Sequence, residues 1–273
     1  MTQIIGVAGC GSMGLPMARR LLQAGFQVYG YDIRPMAEFG DFRSRMISAA
    51  TGFSQLVDVV ISVVRDETQT LSLCFGDQAL FSRNDYPHIL VVSSTLSPRF
   101  INQLRKRLPA DVELIDAPMS GAPIAAEQGQ LSFMIGGDEL VVDALMPLFQ
   151  AMGGQINHLG ALGQGMTYKV LNNYVAACSV AAVRRVMTMA RALNVDTRQL
   201  RGVMEHSSGS TWYGNRFDQI SWSRQGYDLD NTIAILEKDV NAALDAVCIY
   251  PEIAHNPLDD ALLDALRSLE PWH

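Results

Sequence analysis

Lys169 stands four residues before Asn173 in the stretch Gly163-Gln-Gly-Met-Thr-Tyr-Lys169-Val-Leu-Asn172-Asn173, at the head of a long apolar segment. On a helix that spacing puts an amine and an amide on one face, where both can reach a single bound oxygen. Of the 21 basic residues only three are lysines, at 106, 169 and 238. Arginine keeps its proton near neutral pH, whereas a desolvated lysine can release it, so a lysine suits proton transfer where an arginine does not. Taken alone, the pair also fits a surface lysine beside an ordinary asparagine. The other end of the chain changes that balance.

Residues 3–8, Gln-Ile-Ile-Gly-Val-Ala, read as a buried strand, followed by Gly9-Cys10-Gly11-Ser12-Met13-Gly14 and by Leu15 to Leu22 as a helix closed by Gly25. This is Gly-x-Gly-x-x-Gly between a strand and a helix, the setting in which the pattern signals a dinucleotide site. Gly9 allows the tight turn, Gly11 lets backbone approach a pyrophosphate, and Gly14 permits close packing of helix on sheet, while N–H groups at the helix start face the phosphates. Cys10, Ser12 and Met13 complete the turn, Cys10 as a small filler. A second strand, Phe26 to Tyr31, ends in Asp32, 18 residues past Gly14, where a carboxylate can accept hydrogen bonds from the adenosine ribose. Its charge repels a 2′-phosphate and favours NAD over NADP. Arg34, two residues on, is the group that would grip such a phosphate, so NADP stays open.

The chain has 273 residues, which exceeds a typical single domain, and two are expected: 1–162 for the dinucleotide and 163–273 for substrate and oligomerisation. A net charge of -7 without a dense Lys/Arg cluster argues against nucleic acid as a partner. Four cysteines, at 10, 74, 178 and 248, show no paired spacing, and no charged leader precedes the first strand, so a cytoplasmic location is expected. None of the five histidines has ligand spacing, and no metal is implied.

Up to about residue 160, strand and helix alternate, with further strands at Val57 to Val64, Ile89 to Val92, Val112 to Ile115, Ser132 to Ile135 and Gln155 to Leu159. Alternation of this kind means a doubly wound, mostly parallel Rossmann sheet with its ligand beyond the carboxyl ends of the strands. The residues just after each strand are therefore candidates: Val64 and Arg65, and Thr95 in Ser93-Ser94-Thr95-Leu-Ser97-Pro98, placed to bond the nicotinamide ribose. Ser97 is the better helix cap before Pro98. Small residues Ser120, Gly121 and Ala122 expose consecutive N–H groups in a nest suited to a carboxylate, or else form a plain loop before a helix around Ala125.

The second half opens with a helix expected from Gly165 to about Leu193, roughly 42 Å at 1.5 Å per residue. Arg184 and Arg185 interrupt it too soon for a membrane span. It is expected to bridge two domains and to turn apolar surface to a partner subunit, giving a homodimer or homotetramer through an all-α domain. In Glu205-His-Ser-Ser-Gly-Ser-Thr-Trp212 a polar loop carries an aromatic that serves as either a pocket wall or a packing residue.

Together these residues resemble the 3-hydroxyisobutyrate dehydrogenase family of β-hydroxyacid dehydrogenases, relatives of 6-phosphogluconate dehydrogenase. The resemblance runs from residue 1 to about 247 through Gly9 to Ala18, Ser94 to Pro98, Asp116-Ala-Pro-Met-Ser120-Gly121, Gly163 to Asn173, and Glu237-Lys238-Asp239. It implies that Lys169 is catalytic, Asn173 a substrate ligand, Ser120 to Ala122 the carboxylate site, and Lys238 a cofactor or substrate contact. The implied reaction moves a hydride between NAD(P) and a small β-hydroxy acid or its semialdehyde, with Lys169 taking or giving the oxygen-bound proton. Ala122 replaces a customary glycine, Arg65 a proline and Ser93 an aspartate. The tail ends at His273, short of the family's extended C-terminal segment. Imine reduction, usually without that lysine, and a silent cofactor-binding protein are the alternatives.

Overall fold

Five short runs of buried residues form parallel strands: β1 (Ile4–Ala8), β2 (Gln27–Tyr31), β3 (Val59–Ser62), β4 (Ile89–Val92) and β5 (Glu113–Asp116). Their order in the sheet is β2-β1-β3-β4-β5, every neighbouring pair parallel, so the direction of winding reverses between β1 and β3. The computed structural model describes residues 3–82 and 85–273. The chain divides into one compact unit ending at Lys169 and another, Val170–His273.

In the first unit the strands alternate with α1 (Gly14–Gln23), α2 (Ala50–Leu56), α3 (Glu67–Phe75) and α4 (Pro98–Arg107), and a 3-10 segment, Met36–Arg45, precedes α2. Both sheet faces are buried, as a parallel sheet requires. Ile5, Val7, Val59, Ile61, Val91 and Ile115 join one apolar cluster, while Val60, Leu90, Val92 and Leu114 join another. Ser97 caps α4, accepting from the Arg99 N–H at 3.1 Å with Pro98 in the first turn, as its position predicts.

Beyond β5 the expectation of one continuous sheet needs correcting. Residues 119 to 158 supply a separate sheet, β6 (Met119–Ser120), β7 (Leu131–Ile135) and β8 (Gly153–His158), with β6 antiparallel to β7 and β7 parallel to β8. A parallel neighbour needs a crossover of about a dozen residues. Only Ala117 and Pro118 separate β5 from β6, so the chain runs on into a new sheet, joined to the first by an antiparallel bridge between Asp116 and Gly136. Its helices are α5 (Pro123–Gln128) and α6 (Glu139–Met152), with Phe133 and Phe149 packed edge to face at 5.2 Å.

Helix α7 (Gln164–Ala192), 29 residues long, starts in the first unit and continues into the second. There it is followed by α8 (Thr197–Glu205), α9 (Trp212–Asn215), α10 (Thr232–Val247) and α11 (Pro257–Arg267). Ala177, Val180, Val183 and Met187 of α7 share a core with Ile233, Leu236 and Val240 of α10 and with Leu262, Leu263 and Leu266 of α11. Arg184, 3 % exposed, is accommodated in this core because carbonyls satisfy its donors. It donates to Ser223 O and Gln225 O at 2.9 Å each and to Glu270 O. No helix among the described residues is long and apolar enough to cross a membrane.

Candidate active site

The carboxyl ends of the parallel strands bring together segments far apart in sequence. Gly9 N donates to Tyr31 O at 2.9 Å, Val63 N to Ala8 O at 2.7 Å and Ser93 N to Ser62 O at 2.9 Å, which stitches the loops after β1 to β4 into one rim. Gly9 has φ +91°, and a Cβ there would lie 2.7 Å from Val63 O, so the turn is closed to any side chain. A Cβ on Gly14 would meet Gly9 O at 2.0 Å, whereas nothing lies within 4 Å of one built on Gly11. The backbone is thus tight below and open above. Met13, at the N-cap of α1, makes no side-chain capping bond; Leu15 N donates to Gly11 O at 3.1 Å and Pro16 has no N–H, so the Gly14 N–H is the first-turn donor that faces an anion.

Cys10 fills this turn as expected. It is 2 % exposed, its thiol donates to Val7 O at 3.4 Å, and burial pushes it up to about 12, reinforced by the nearby charge of Asp32. Ser12 beside it is exposed. Past β2, the Asp32 side chain is 8 % exposed and accepts from Arg34 Nε and Nη2 at 3.1 Å each and from Arg34 N at 3.0 Å. Burial alone would raise this carboxyl; the hydrogen bonds and charge of Arg34 outweigh it and hold the group below its ordinary value. The second Arg34 amine also donates to Cys10 O at 2.8 Å, tying the acidic residue to the glycine turn. A cleft of about 380 Å³ opens here, walled by Asp32, Ile33, Arg34, Met36, Ile47 and Ser48.

After β3, Val64 O accepts from the Ser94 hydroxyl, and Arg65, exposed, donates its N–H to Gln69 Oε1 at 3.0 Å. Thr95 is half-buried at the end of β4, the capping task falling to Ser97. An open backbone over Gly11, the Gly14 N–H at the start of α1 and an acidic residue at the end of β2 suit the pyrophosphate and ribose of a dinucleotide. Farther along, Ser120 pairs with Ser132 across β6 and β7, Gly121 has φ +135°, and Ala122 is the extended residue that starts α5. Gly121 and Ala122 are exposed. The helix around Ala125 is present, and the turn before it is open to solvent.

Lys169 is 6 % exposed, on the second turn of α7. A lysine so buried is rare in a surface helix. The start of that helix is fixed by a residue whose role no local spacing reveals. Asp116, fully buried at the end of β5, accepts from Gly163 N and Met166 N at 2.7 Å each, one per carboxylate oxygen. It acts as a cap supplied from another element, satisfying N–H groups that the helix cannot. Glycines make the approach possible: a Cβ on Gly165 would lie 2.3 Å from Met134 O, and one on Gly136 2.4 Å from Asp116 Oδ1. Burial raises the Asp116 carboxyl to about 6, against the two N–H bonds that lower it.

In the second unit, Asn173 Nδ2 donates to Asp239 Oδ2 at 2.6 Å, and Lys238 Nζ pairs with Asp239 Oδ1 at 2.7 Å. Asn173 and Lys238, separated by most of that unit in sequence, are thus linked through the carboxylate of Asp239, to which the sequence assigned no role of its own. The adjacent Lys-Asp pair was its only local signal. Tyr174 donates to Asp259 at 2.5 Å, fastening α11 to α7. Trp212 is 60 % exposed with Arg216 over its ring at 5.5 Å, while its neighbour Tyr213 takes the packing role, stacked on Trp222.

Residues 4–160 match the family described as the NAD binding domain of 6-phosphogluconate dehydrogenase, and residues 163–248 the family described as NAD-binding of NADP-dependent 3-hydroxyisobutyrate dehydrogenase. The chain is 31% identical to 2-hydroxy-3-oxopropionate reductase of Escherichia coli, over 88% of this chain and 82% of that protein. It is 30% identical to 3-hydroxyisobutyrate dehydrogenase of Pseudomonas aeruginosa, over 88% of this chain and 84% of that one. The structure of Mycobacterium tuberculosis 3-hydroxyisobutyrate dehydrogenase with L-serine aligns at a TM-score of 0.79 and 26% identity, covering 99% of this chain and 97% of the other.

Proposed function

Because the chain belongs to the 3-hydroxyisobutyrate dehydrogenase family of NAD(P)-dependent oxidoreductases, which act on small β-hydroxy acids, we propose that Lys169 is its proton-transferring group. The nicotinamide cofactor, when bound, supplies or accepts the hydride. The chain's own task is to hold the reacting carbon still and to move one proton on oxygen. In the oxidative direction Lys169 takes the hydroxyl proton; in the reductive direction it gives one to the carbonyl oxygen. Asn173, one turn on along α7, orients that oxygen, and Ser120, Gly121 and Ala122 hold the carboxylate. Lys238 adds a second positive charge for an anionic group of cofactor or substrate.

The observation that carries this reading is the burial of Lys169, 6 % exposed, on a helix whose start is clamped by Asp116. Replacing Lys169 by alanine is expected to lower turnover by ~100-fold or more while leaving NAD affinity unchanged. Steady-state rates on a panel of β-hydroxy acids and semialdehydes, with cofactor titration by fluorescence, make the test. Near-normal turnover of Lys169→Ala removes the assignment. The same panel identifies the substrate among 3-hydroxyisobutyrate, serine, a hydroxybutyrate and tartronate semialdehyde.

NAD is the proposed cofactor in preference to NADP, supported by the Asp32 carboxylate at the ribose position. We also propose that the chain is cytoplasmic, in keeping with four free thiols, and that it assembles as a homodimer or homotetramer through its helical domain.

A further inference from the structure

Asp116 stands where three elements of the first unit meet. Its backbone ends β5 and bridges Gly136, with Asp116 N donating to Gly136 O at 3.0 Å and Gly136 N to Asp116 O at 2.8 Å. The antiparallel pairing continues in the same register through Met134 N, which donates to Pro118 O at 3.0 Å, to Ser120 opposite Ser132. Ser120 thus lies four extended residues from Asp116, about 13 Å along one braced segment. The side chain turns to the third element. Its fully buried carboxylate accepts Gly163 N on Oδ1 and Met166 N on Oδ2, both at 2.7 Å, and these donors bracket the first turn of α7. Gly137 N, donating to Gly160 O at 2.9 Å, holds the loop that leads into that turn. Lys169 follows Met166 by three residues, a rise of about 4.5 Å. Side chains on a helix lean toward its N-terminus, so that of Lys169 leans back over the turn that Asp116 grips.

We propose that Asp116 is a positioning residue: its carboxylate fixes the distance between Lys169 and the turn at residues 120–122, so that a substrate held there by its carboxylate brings its reacting oxygen to the amine. This rests on the proposed roles of Lys169 and of that turn, and deepens them. Placement matters at this scale, since a displacement of about 1 Å can cost on the order of 100-fold in rate. The two ends of the span respond differently to loss of the carboxylate. The turn is tied to Asp116 through backbone, which any residue but proline supplies at this position, whereas α7 is tied to it through the side chain. The helix is also seated at backbone contact: a Cβ on Gly165 would lie 2.3 Å from Met134 O, and one on Gly136 2.4 Å from Asp116 Oδ1. Removing one acceptor oxygen therefore moves the amine and leaves the turn in place, which lowers turnover rather than the binding of substrate or cofactor.

Asp116→Asn keeps the shape of the side chain but sets an amide NH2 against one of the two N–H groups, two donors with no acceptor between them. In the oxidation of 3-hydroxyisobutyrate by NAD, or with the fastest member of the substrate panel, it is expected to lower kcat by ~10-fold or more while KM and NAD affinity stay within ~2-fold. The deciding measurement is a cycle with Lys169→Ala. A residue that acts through Lys169 has nothing left to position once the amine is gone, so Asp116→Asn should cost ~10-fold in the parent and less than ~2-fold in the Lys169→Ala background. Gly165→Ala, whose methyl presses on Met134 O and leaves the carboxyl intact, is expected to follow the same pattern. Thermal melting and NAD titration identify the folded variants on which rates are compared. The proposal is overturned by a folded Asp116→Asn of unimpaired kcat, by a loss confined to KM or NAD affinity, or by a ~10-fold loss that persists without the lysine, which marks a merely structural role. Should Asp116→Asn not fold, the same cycle on Gly165→Ala decides by the same criteria. Near-normal turnover of Lys169→Ala is a separate result, and sinks the reading of Lys169 itself.

Discussion

The proposed preference for NAD over NADP rests on a single carboxylate and its neighbour. Arg34 is 43 % exposed in its side chain and spends two of its donors on Asp32. Its planar fork fits a carboxylate and a phosphate equally well. With Asp32 in place the arginine is occupied and a 2′-phosphate meets negative charge; with the carboxylate gone the same arginine becomes a phosphate ligand. Asp32→Ser is therefore expected to raise the ratio of kcat/KM for NADP to that for NAD by ~100-fold or more, measured with both cofactors at saturating hydroxy acid. An unchanged ratio means that this pair does not select the cofactor. Residues of this kind were legible in sequence because their physics is local: three glycines, a helix start and an acidic residue at the end of β2 all fall within 24 positions, Gly9 to Asp32. Asp116 and Asp239 were not. Each acquires its meaning from a partner 47 or 66 residues away, Gly163 N–H and Asn173 Nδ2, and no window of sequence contains both ends of either contact.

Among the elements, α7 was the easiest to read, since an unbroken apolar run after Gly163 predicts a helix from about Gly165, and it starts at Gln164. The three-stranded sheet was the hardest, because β6 has two residues and its separation from β5 depends on the brevity of the Ala117-Pro118 link. Both features meet at Asp116, which closes β5 and opens α7. The physical consequence is a pH dependence of stability. The folded value, about 6, lies above the ordinary 3.8, so the folded state binds the proton more tightly than the unfolded chain does. The associated stabilisation is fully present below about pH 4 and is lost as pH rises through about 6, a total on the order of 3 kcal/mol. Asp116→Asn, a mimic of the protonated form, lacks that slope. The stability difference between parent and variant should accordingly shift by about 1 kcal/mol in favour of the variant between pH 5 and pH 7.5. Urea denaturation at the two pH values measures it, and a difference constant with pH would mean that Asp116 titrates in the ordinary carboxylate range.

At the scale of the whole molecule the two faces of α7 have different destinations. At about 100° per residue, Lys169 and Asn173 lie within ~40° of each other, on the side shared with buried Val180, Val183 and Met187. Tyr168, Leu171, Val175 and Met189 fall about 200–260° from Lys169, and they are 53%, 51%, 64% and 45% exposed. The spacing of 168, 175 and 189 by sevens keeps this stripe on one line for most of the helix, the pattern of a helix that packs against another. The proposed homo-oligomer covers it, leaving the face that carries Lys169 and Asn173 untouched. In a two-fold interface every substitution occurs twice. Leu171→Glu combined with Val175→Glu thus places four carboxylates where four apolar side chains would be buried, each of those worth about 1.5–3 kcal/mol. The expected outcome in light scattering after gel filtration is the mass of a single chain for the variant and a multiple of it for the parent. The single-chain variant should still unfold cooperatively, with its melting point lowered by the lost association, because neither residue contributes to the buried cluster of the second unit. A parent that runs at the mass of one chain, or a variant that keeps the parent's mass, places the interface elsewhere and leaves the exposed stripe on α7 without this explanation.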